Sequence, residues 1–379
     1  MPGILQVIQH GELRGAEVFA LDLCGALRRR GGWEVSLLSL FGIEPAYRAT
    51  AEAAGFPIQA LCPAGRARGL DPRLVFALRR RIDASTCQIV QANGAATLKY
   101  LVAARHLSRR RWRLVYRAIG MGSFWRRSAG RRLLYRWLFS QPDRIVAVSE
   151  VVADDLIRTT GIGPERIAVI ANGVEPARIR AEPADRDRVR RTLGVAPSEH
   201  LLLYAGSLAP EKNLPALVRA VAECRRQGAA VKALLIGDGS CRDDLLQRAQ
   251  ACGLGDALYF LPGQDRIGSF LAAADLCVLP SLSEGMPALL IEAGLAGVPA
   301  VAYAVGGVGE VIADGITGVL VRSGDEHGLT AAIAALLAAP ERREAMGRAA
   351  RIHCRRFEIT AITEAYSEVY AGILNGRHR

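Results

Sequence analysis

Short apolar runs separated by amphipathic stretches of helical length recur along almost the whole chain, in two series. In the first, strands are expected at residues 4–8, 35–40, 88–90, 114–116, 144–148 and 167–170, with helices at 16–30, 72–82, 95–106, 131–139 and 151–159. In the second, strands are expected at 201–205, 232–236, 258–261, 276–279, 300–303 and 318–321. Helices at 214–227, 242–252, 266–273, 288–296, 326–337, 341–356 and 360–374 accompany them. Between the series, residues 176–200 are polar and arginine-laced, with prolines at 176, 183 and 197, and read as a linker. Strands alternating with helices indicate βαβ units and parallel sheets. A chain of 379 residues is long for one such core and comfortable for two. The expected architecture is α/β: two Rossmann-like, doubly wound parallel-sheet domains facing across a cleft. They are placed at 1–172 and 173–356, with a C-terminal helix in 357–379 packing back on the first. Ligands of such sheets bind outside the carboxyl ends of the strands.

Composition narrows the class. The chain is 50% hydrophobic and 23% charged, as ordinary water-soluble domains are. The longest apolar runs, 271–279 and 288–296, are too short or too interrupted to cross a bilayer. No cationic segment followed by an apolar stretch opens the sequence, so no signal peptide is expected. The eight cysteines are scattered without a C-x-x-C pair, which favours reduced core thiols in a cytoplasmic protein over a disulfide framework or a zinc site.

The charge is unevenly divided. Residues 1–172 hold 26 Lys+Arg against 13 Asp+Glu, and residues 173–379 hold 23 against 24. No acidic residue occurs between Asp83 and Asp143, while the region 105–136 carries Arg105, Arg109, Arg110, Arg111, Arg113, Arg117, Arg126, Arg127, Arg131, Arg132 and Arg136. Trp112, Tyr116, Phe124, Trp125, Tyr135, Trp137 and Phe139 are interleaved with them or follow closely. Three explanations stand: contact with an anionic membrane surface, an anionic or lipid-linked acceptor, and a plain arginine-rich surface. The first two together are favoured. Nucleic acid is the least favoured partner, because no recognised binding motif accompanies the charge.

The densest chemical signal is the segment from Pro280 to Pro299, in which Ser283-Glu284-Gly285-Met286-Pro287 leads into a helix beginning near Ala288. Pro287 suits a first helical turn, where a missing N–H does no harm. A helix N-terminus offers N–H groups and a positive dipole end to a diphosphate. Ala288, Leu289 and Glu292 lie on one helix face. Glu284 and Glu292 then flank an anion site as acceptors for sugar hydroxyls and for a ribose diol. The plainer alternative makes Glu284 a capping acid and Glu292 a solvated helix residue. Lys212 follows a glycine-bearing strand end and precedes a helix, where an ammonium meets phosphate as a point charge. It is one of three lysines in the chain, beside 46 arginines.

The two glutamates, spaced E-x7-E within S-x-x-E-G-M-P and E-A-x-x-A-G-x-P, resemble glycosyltransferase family 4, retaining enzymes of GT-B fold. Gly206-Ser207-Leu208-Ala-Pro-Glu211-Lys212-Asn213 resembles that family's phosphate-binding segment, and Gly237-Asp238-Gly239 its next strand end. Gly306-Gly307-x-x-Glu310 and Asp314-Gly315-x-Thr317-Gly318 resemble its later turns. Gly15-Ala16-Glu17, Ser149-Glu150 and Asn172-Gly173 match the first domain, so the likeness runs nearly the full length in the correct order. The resemblance implies that Glu284 and Lys212 act at the reacting centre, on the donor sugar and its diphosphate. Glu292, Gly285, Met286, Pro287, Ala288, Leu289, Gly206, Ser207, Gly237 and Gly15 would bind the rest of a nucleotide-sugar donor.

Three departures accompany the resemblance. The family usually carries an arginine where Ser207 stands, so half of a cationic clamp is missing; Arg266 and Arg14 are the candidates to replace it. Histidines common after its fourth and fifth strands are absent, where Gln91-Ala-Asn93-Gly94 and Tyr116-Arg117-Ala-Ile119-Gly120 stand instead. His10, Asn93 and Asn172 remain as candidates on the acceptor side or in the cleft. No residue at a matching position looks like an enzymic nucleophile. The expected reaction is therefore same-face transfer to an acceptor hydroxyl with retention, the leaving phosphate taking the proton. No metal or cofactor is required by that scheme. The expected place is the cytoplasm, peripheral on the inner face of the plasma membrane. Two alternatives share the fold: a sugar-nucleotide epimerase, and a non-catalytic sugar-nucleotide-binding scaffold for polysaccharide assembly.

Overall fold

The computed structural model describes residues 1–63, 69–120 and 129–376, except for the side chains of residues 129, 131 and 132. It divides into two compact units, one comprising Met1–Gly173 with the segment from Ile359 onward, the other Val174–Glu358.

The first unit opens with β1 (Gly3–Ile8), α1 (Gly15–Arg30), β2 (Glu34–Ser39), α2 (Pro45–Ala53), β3 (Gln59–Ala60), α3 (Pro72–Asp83), β4 (Cys87–Asn93), α4 (Ala95–Leu107) and β5 (Arg113–Ala118). It continues with α5 (Ala129–Ser140), β6 (Arg144–Ala147), α6 (Glu150–Thr160) and β7 (Ile167–Val169). Among the described residues its strands form a seven-stranded parallel sheet of order β3-β2-β1-β4-β5-β6-β7. Strand order reverses between β1 and β4. α2 and β3 fall where no element was expected.

The second unit contains α7 (Asp185–Thr192), β8 (His200–Ala205), α8 (Leu214–Arg226), β9 (Val231–Ile236), α9 (Arg242–Ala251), β10 (Leu258–Leu261), α10 (Gly268–Ala273), β11 (Leu276–Leu279) and α11 (Ala288–Ala296). β12 (Ala300–Tyr303), α12 (Val308–Val311), β13 (Gly318–Val321), α13 (Glu326–Leu337) and α14 (Pro340–Cys354) complete it. Its described strands form a six-stranded parallel sheet of order β10-β9-β8-β11-β12-β13, which reverses between β8 and β11. α11 is apolar almost all round because it is buried between its strands and α14, as a helix without a wet face must be.

The chain leaves the first unit at Asn172-Gly173 and returns through α15 (Ile359–Leu374). Gly173 is required there by close approach: a Cβ would sit 2.7 Å from Ile359 Cδ1. Ile359, Ile362, Tyr366, Tyr370 and Ile373 of α15 are buried with Phe19, Leu23 and Leu27 of α1.

The expected linker is corrected. Residues 176–200 include α7, whose sequence Asp-Arg-Asp-Arg-Val-Arg-Arg-Thr has one apolar member, so local periodicity hides it. Arg190 of α7 is buried and donates to the Ala273 carbonyl (3.2 Å) and to Asp275 (3.1 Å), while Arg186 donates to the other Asp275 oxygen (2.8 Å). Partners distant in sequence make this charged helix part of the core. Pro287 also moves by one position: it is the extended residue before α11 rather than inside its first turn.

Candidate functional site

In the second unit the loops that follow β8 and β11 flank the strand-order reversal, where open α/β sheets bind ligands. The chain after β8 makes a short 3-10 turn, Pro210–Lys212, and Asn213 then adopts a left-handed conformation (φ 48°) to start α8. Asn213 is the one non-glycine with positive φ among the described residues, and asparagine tolerates that region better than most residues. The N–H of Leu282, after β11, donates to the Glu211 carbonyl (2.8 Å), fastening the two loops together. Lys212 Nζ consequently donates to Glu284 Oε1 at 2.7 Å.

Glycines let the neighbouring loops close on this pair. A Cβ on Gly306, at φ +50°, would lie 1.7 Å from the Glu284 carbonyl oxygen, and the Gly307 N–H donates to the Gly285 carbonyl (3.0 Å). A Cβ on Gly237 would lie 1.9 Å from the Gly206 carbonyl oxygen, so these two glycines stack the β8 and β9 loops backbone on backbone. The buried Tyr204 hydroxyl donates to the Ser207 carbonyl (2.8 Å) and holds that loop from beneath.

Glu292 stands on α11, one turn beyond Ala288. It is 8% exposed, and Glu284 9%. Glu292 Oε1 lies 3.9 Å from Nε of Arg178. Burial raises the Glu292 carboxyl above the ordinary carboxylate range, and the Arg178 charge opposes that rise. The plainer readings of both glutamates therefore fail: Glu292 is not solvated, and Glu284 spends a carboxylate oxygen on Lys212 rather than capping a helix. Met286, Pro287 and Leu289 are buried and Ala288 is half-buried, lining the entry to α11.

The candidates to replace the absent cation are bound elsewhere. Arg266 donates to the Ala177 carbonyl (3.1 Å), and Arg14, in the first unit, pairs with Glu12 (2.7 Å). Arg178 was missed because it lies at the edge of the stretch read as linker, and no local pattern marks it.

In the first unit Gly15 begins α1 and is exposed. His10 stacks on Phe41 with ring centroids 5.1 Å apart, its Nδ1 4.0 Å from Glu12. Asn93 and Asn172 both have buried side chains engaged inside the unit. Asn93 donates to Gln6 Oε1 (2.9 Å) and accepts from Gln91 (3.2 Å). Gln6 and Gln91 both bond the Tyr370 hydroxyl of α15, at 3.0 and 2.7 Å, which closes a four-membered ring. Asn172 accepts from Arg117, which is wholly buried with its guanidinium 3.9 Å above the Phe19 ring. Burial raises the Glu17 carboxyl to about 7, and Glu12 adds to the rise.

The basic region is likewise divided. Phe124, Trp125, Arg126 and Arg127 lie outside the described residues, as do the side chains of Arg131 and Arg132. Trp112, Tyr116 and Phe139 are core residues. Arg105 and Arg113 pair with Asp143 at 2.9 and 3.1 Å, and Arg110 donates to the Ile82 and Ser85 carbonyls. Arg109 and Arg111 are exposed, and so are Leu133 (67%), Leu134 (56%) and Trp137 (49%) on α5. Among the described residues no helix is long and apolar enough to cross a membrane, and no group of three or more His, Cys, Asp or Glu is placed to hold a metal ion.

Solved structures share this architecture. Anabaena HepE in complex with UDP-glucose matches with TM-score 0.85 at 24% identity, over 98% of this chain and 100% of that one. Sucrose-phosphate synthase from Thermosynechococcus elongatus matches with TM-score 0.83 at 20% identity, over 99% and 100%. The fold is GT-B. The family model for Glycosyltransferase Family 4 matches residues 13–178, and that for Glycosyl transferases group 1 matches residues 185–353. The chain belongs to glycosyltransferase family 4. Similar curated proteins include the D-inositol 3-phosphate glycosyltransferases of Segniliparus rotundus and Rhodococcus opacus. The first is 35% identical over 245 residues, covering 63% of this chain and 54% of that protein. The second is 33% identical over 251 residues, covering 64% and 56%. The chain spans about half the length of these relatives.

Proposed function

We propose that this chain is a retaining glycosyltransferase that moves a sugar from a UDP-linked donor to an acceptor hydroxyl. The observation that carries the reading is the Lys212–Glu284 pair, half-buried at the lysine and buried at the glutamate, beside the strand-order reversal of the second sheet, with Glu292 on the adjoining helix. As the sugar–phosphate bond breaks, the Lys212 ammonium and the N-terminal end of α11 stabilise the departing diphosphate. Glu284 accepts hydrogen bonds from the donor sugar, and Glu292 receives the ribose diol. The acceptor hydroxyl attacks from the face the phosphate leaves, and a phosphate oxygen takes its proton, so the anomeric configuration is retained. Lysine and helix end supply the charge this scheme needs, without a metal. UDP is the first nucleotide to try because the HepE structure holds UDP-glucose.

A thermal-shift screen of nucleotide sugars on wild type and Glu292→Ala tests the donor site. One nucleotide series is expected to stabilise wild type and not the variant; equal shifts in both reject the ribose role. Proton NMR of the first-formed glycoside reads the stereochemistry, and an inverted anomer rejects retention.

For the acceptor, the name of the curated relatives puts D-inositol 3-phosphate first, with lipid-linked sugars second. Exposed Leu133, Leu134 and Trp137, in a region without acidic residues from 84 to 142, support peripheral attachment to an anionic bilayer. Co-sedimentation with phosphatidylglycerol vesicles is expected, weakened by Leu133→Ser with Leu134→Ser and absent with phosphatidylcholine. Equal recovery with both lipids rejects it.

A further inference from the structure

The turn Pro176–Arg178 is held unusually firmly for a chain segment just inside a unit boundary. Arg266 donates to the Ala177 carbonyl (3.1 Å), and the Ile267 N–H donates to the Arg178 carbonyl (3.2 Å). Behind it, the start of α10 presses so closely that a Cβ on Gly268 would lie 2.3 Å from the Arg180 carbonyl oxygen. This bracket leaves the Arg178 side chain 13% exposed and its Nε 3.9 Å from Glu292, whose own side chain is 11% exposed. At that separation the contact is an ion pair rather than a close hydrogen bond, so the carboxylate keeps acceptor capacity for another donor.

We propose that Arg178 is a positioning residue of the donor site, its guanidinium holding the Glu292 carboxylate as an anion in place to receive the ribose diol. The proposal rests on the reading of Glu292 as the ribose acceptor. A carboxyl buried against an apolar helix and sheet tends to take up a proton, and a protonated carboxyl loses one of the acceptor sites a diol needs. The other ionisable groups on elements packed around α11 are the Cys277 thiol on β11, Tyr303 on β12, Glu310 on α12, and, on α14, Glu341, Arg342, Arg343, Glu344, Arg348, Arg351, His353 and Cys354; α10 has none. Arg351 is spent on the Ala296 carbonyl at the far end of the helix (2.6 Å), and Cys354 lies against Gly294. Arg178 is the cation that acts on Glu292.

The test is calorimetric binding of UDP-glucose by wild type, Arg178→Gln, Arg178→Lys and Glu292→Gln from about pH 6 to about pH 8.5, a window above the ordinary carboxylate range. UDP-glucose is chosen because its doubly esterified diphosphate keeps its charge throughout. Wild type and Arg178→Lys are expected to bind evenly across the window. Arg178→Gln is expected to bind about tenfold more weakly at the acid end, one pKa unit of protonation, and to recover at the alkaline end. With the 2′-deoxyribose form of UDP-glucose, that pH dependence should shrink. Arg178→Met is the second neutral variant should the glutamine fail to fold. A flat profile for both neutral variants, parallel to wild type, overturns the role of Arg178. Undiminished binding by Glu292→Gln, or no binding by wild type, overturns instead the donor reading beneath it, so the two failures are distinct.

Discussion

The two sheets are wound alike and both place polar side chains beside the strand-order reversal, but they use them in opposite ways. In the first unit Gln6, Gln91 and Asn93, on β1 and β4, close a hydrogen-bonded ring with Tyr370 and satisfy one another. In the second, Lys212 and Glu284, after β8 and β11, make one direct bond, and each keeps further donor or acceptor capacity. Topology supplies the position for a site in both units. What separates a lock from a site is whether the polar groups there have already spent their bonding on the protein.

The largest test of that contrast is Lys212→Ala. It is expected to lower kcat about 10²–10³-fold, the loss typical of removing one donor to a developing oxyanion. Activity within a factor of a few of wild type would move the reacting centre elsewhere. The ring should behave in the converse way. Tyr370→Phe leaves Gln91 Oε1 without its buried donor and should cost about 1–3 kcal/mol in urea unfolding, with nucleotide affinity in the second unit unchanged. A loss of nucleotide affinity at constant stability would make the ring part of the site.

The smallest effect concerns Glu17 on α1. Its carboxyl titrates at about 7 in the folded chain and nearer 4.5 when unfolded. The folded state therefore binds more protons between those values, and stability falls as pH rises through the window. Glu17 is partly buried, so Glu17→Gln should stabilise by about 1–2 kcal/mol near pH 8 and be neutral near pH 4. A variant whose stability runs parallel to wild type across that range would mean the carboxyl is well hydrated.

Much of the architecture was legible. The strands at 258–261, 276–279, 300–303 and 318–321 coincide with β10 to β13, because buried parallel strands are continuous apolar runs bounded by turn residues. The segment around Glu284 and Glu292 was legible because a strand end, a glycine-bearing loop and a helix start follow one another within one short stretch. α7 was not, since its burial depends on Asp275 and on carbonyls more than 80 residues away. Nor were the buried roles of Asn93 and Arg117, which look like other strand-end polar residues.

By itself the sequence determined two parallel-sheet units, the order of their elements and the loops in which acidic and basic residues stand. Periodicity and turn chemistry act within a few residues, and that information is local. Only the tertiary structure decided which polar groups are used up and which remain for a ligand. The Lys212–Glu284 bond joins residues 72 apart and the Gln6–Tyr370 bond residues 364 apart. Desolvation and pairing are properties of the packed neighbourhood, and no run of consecutive residues encodes that neighbourhood.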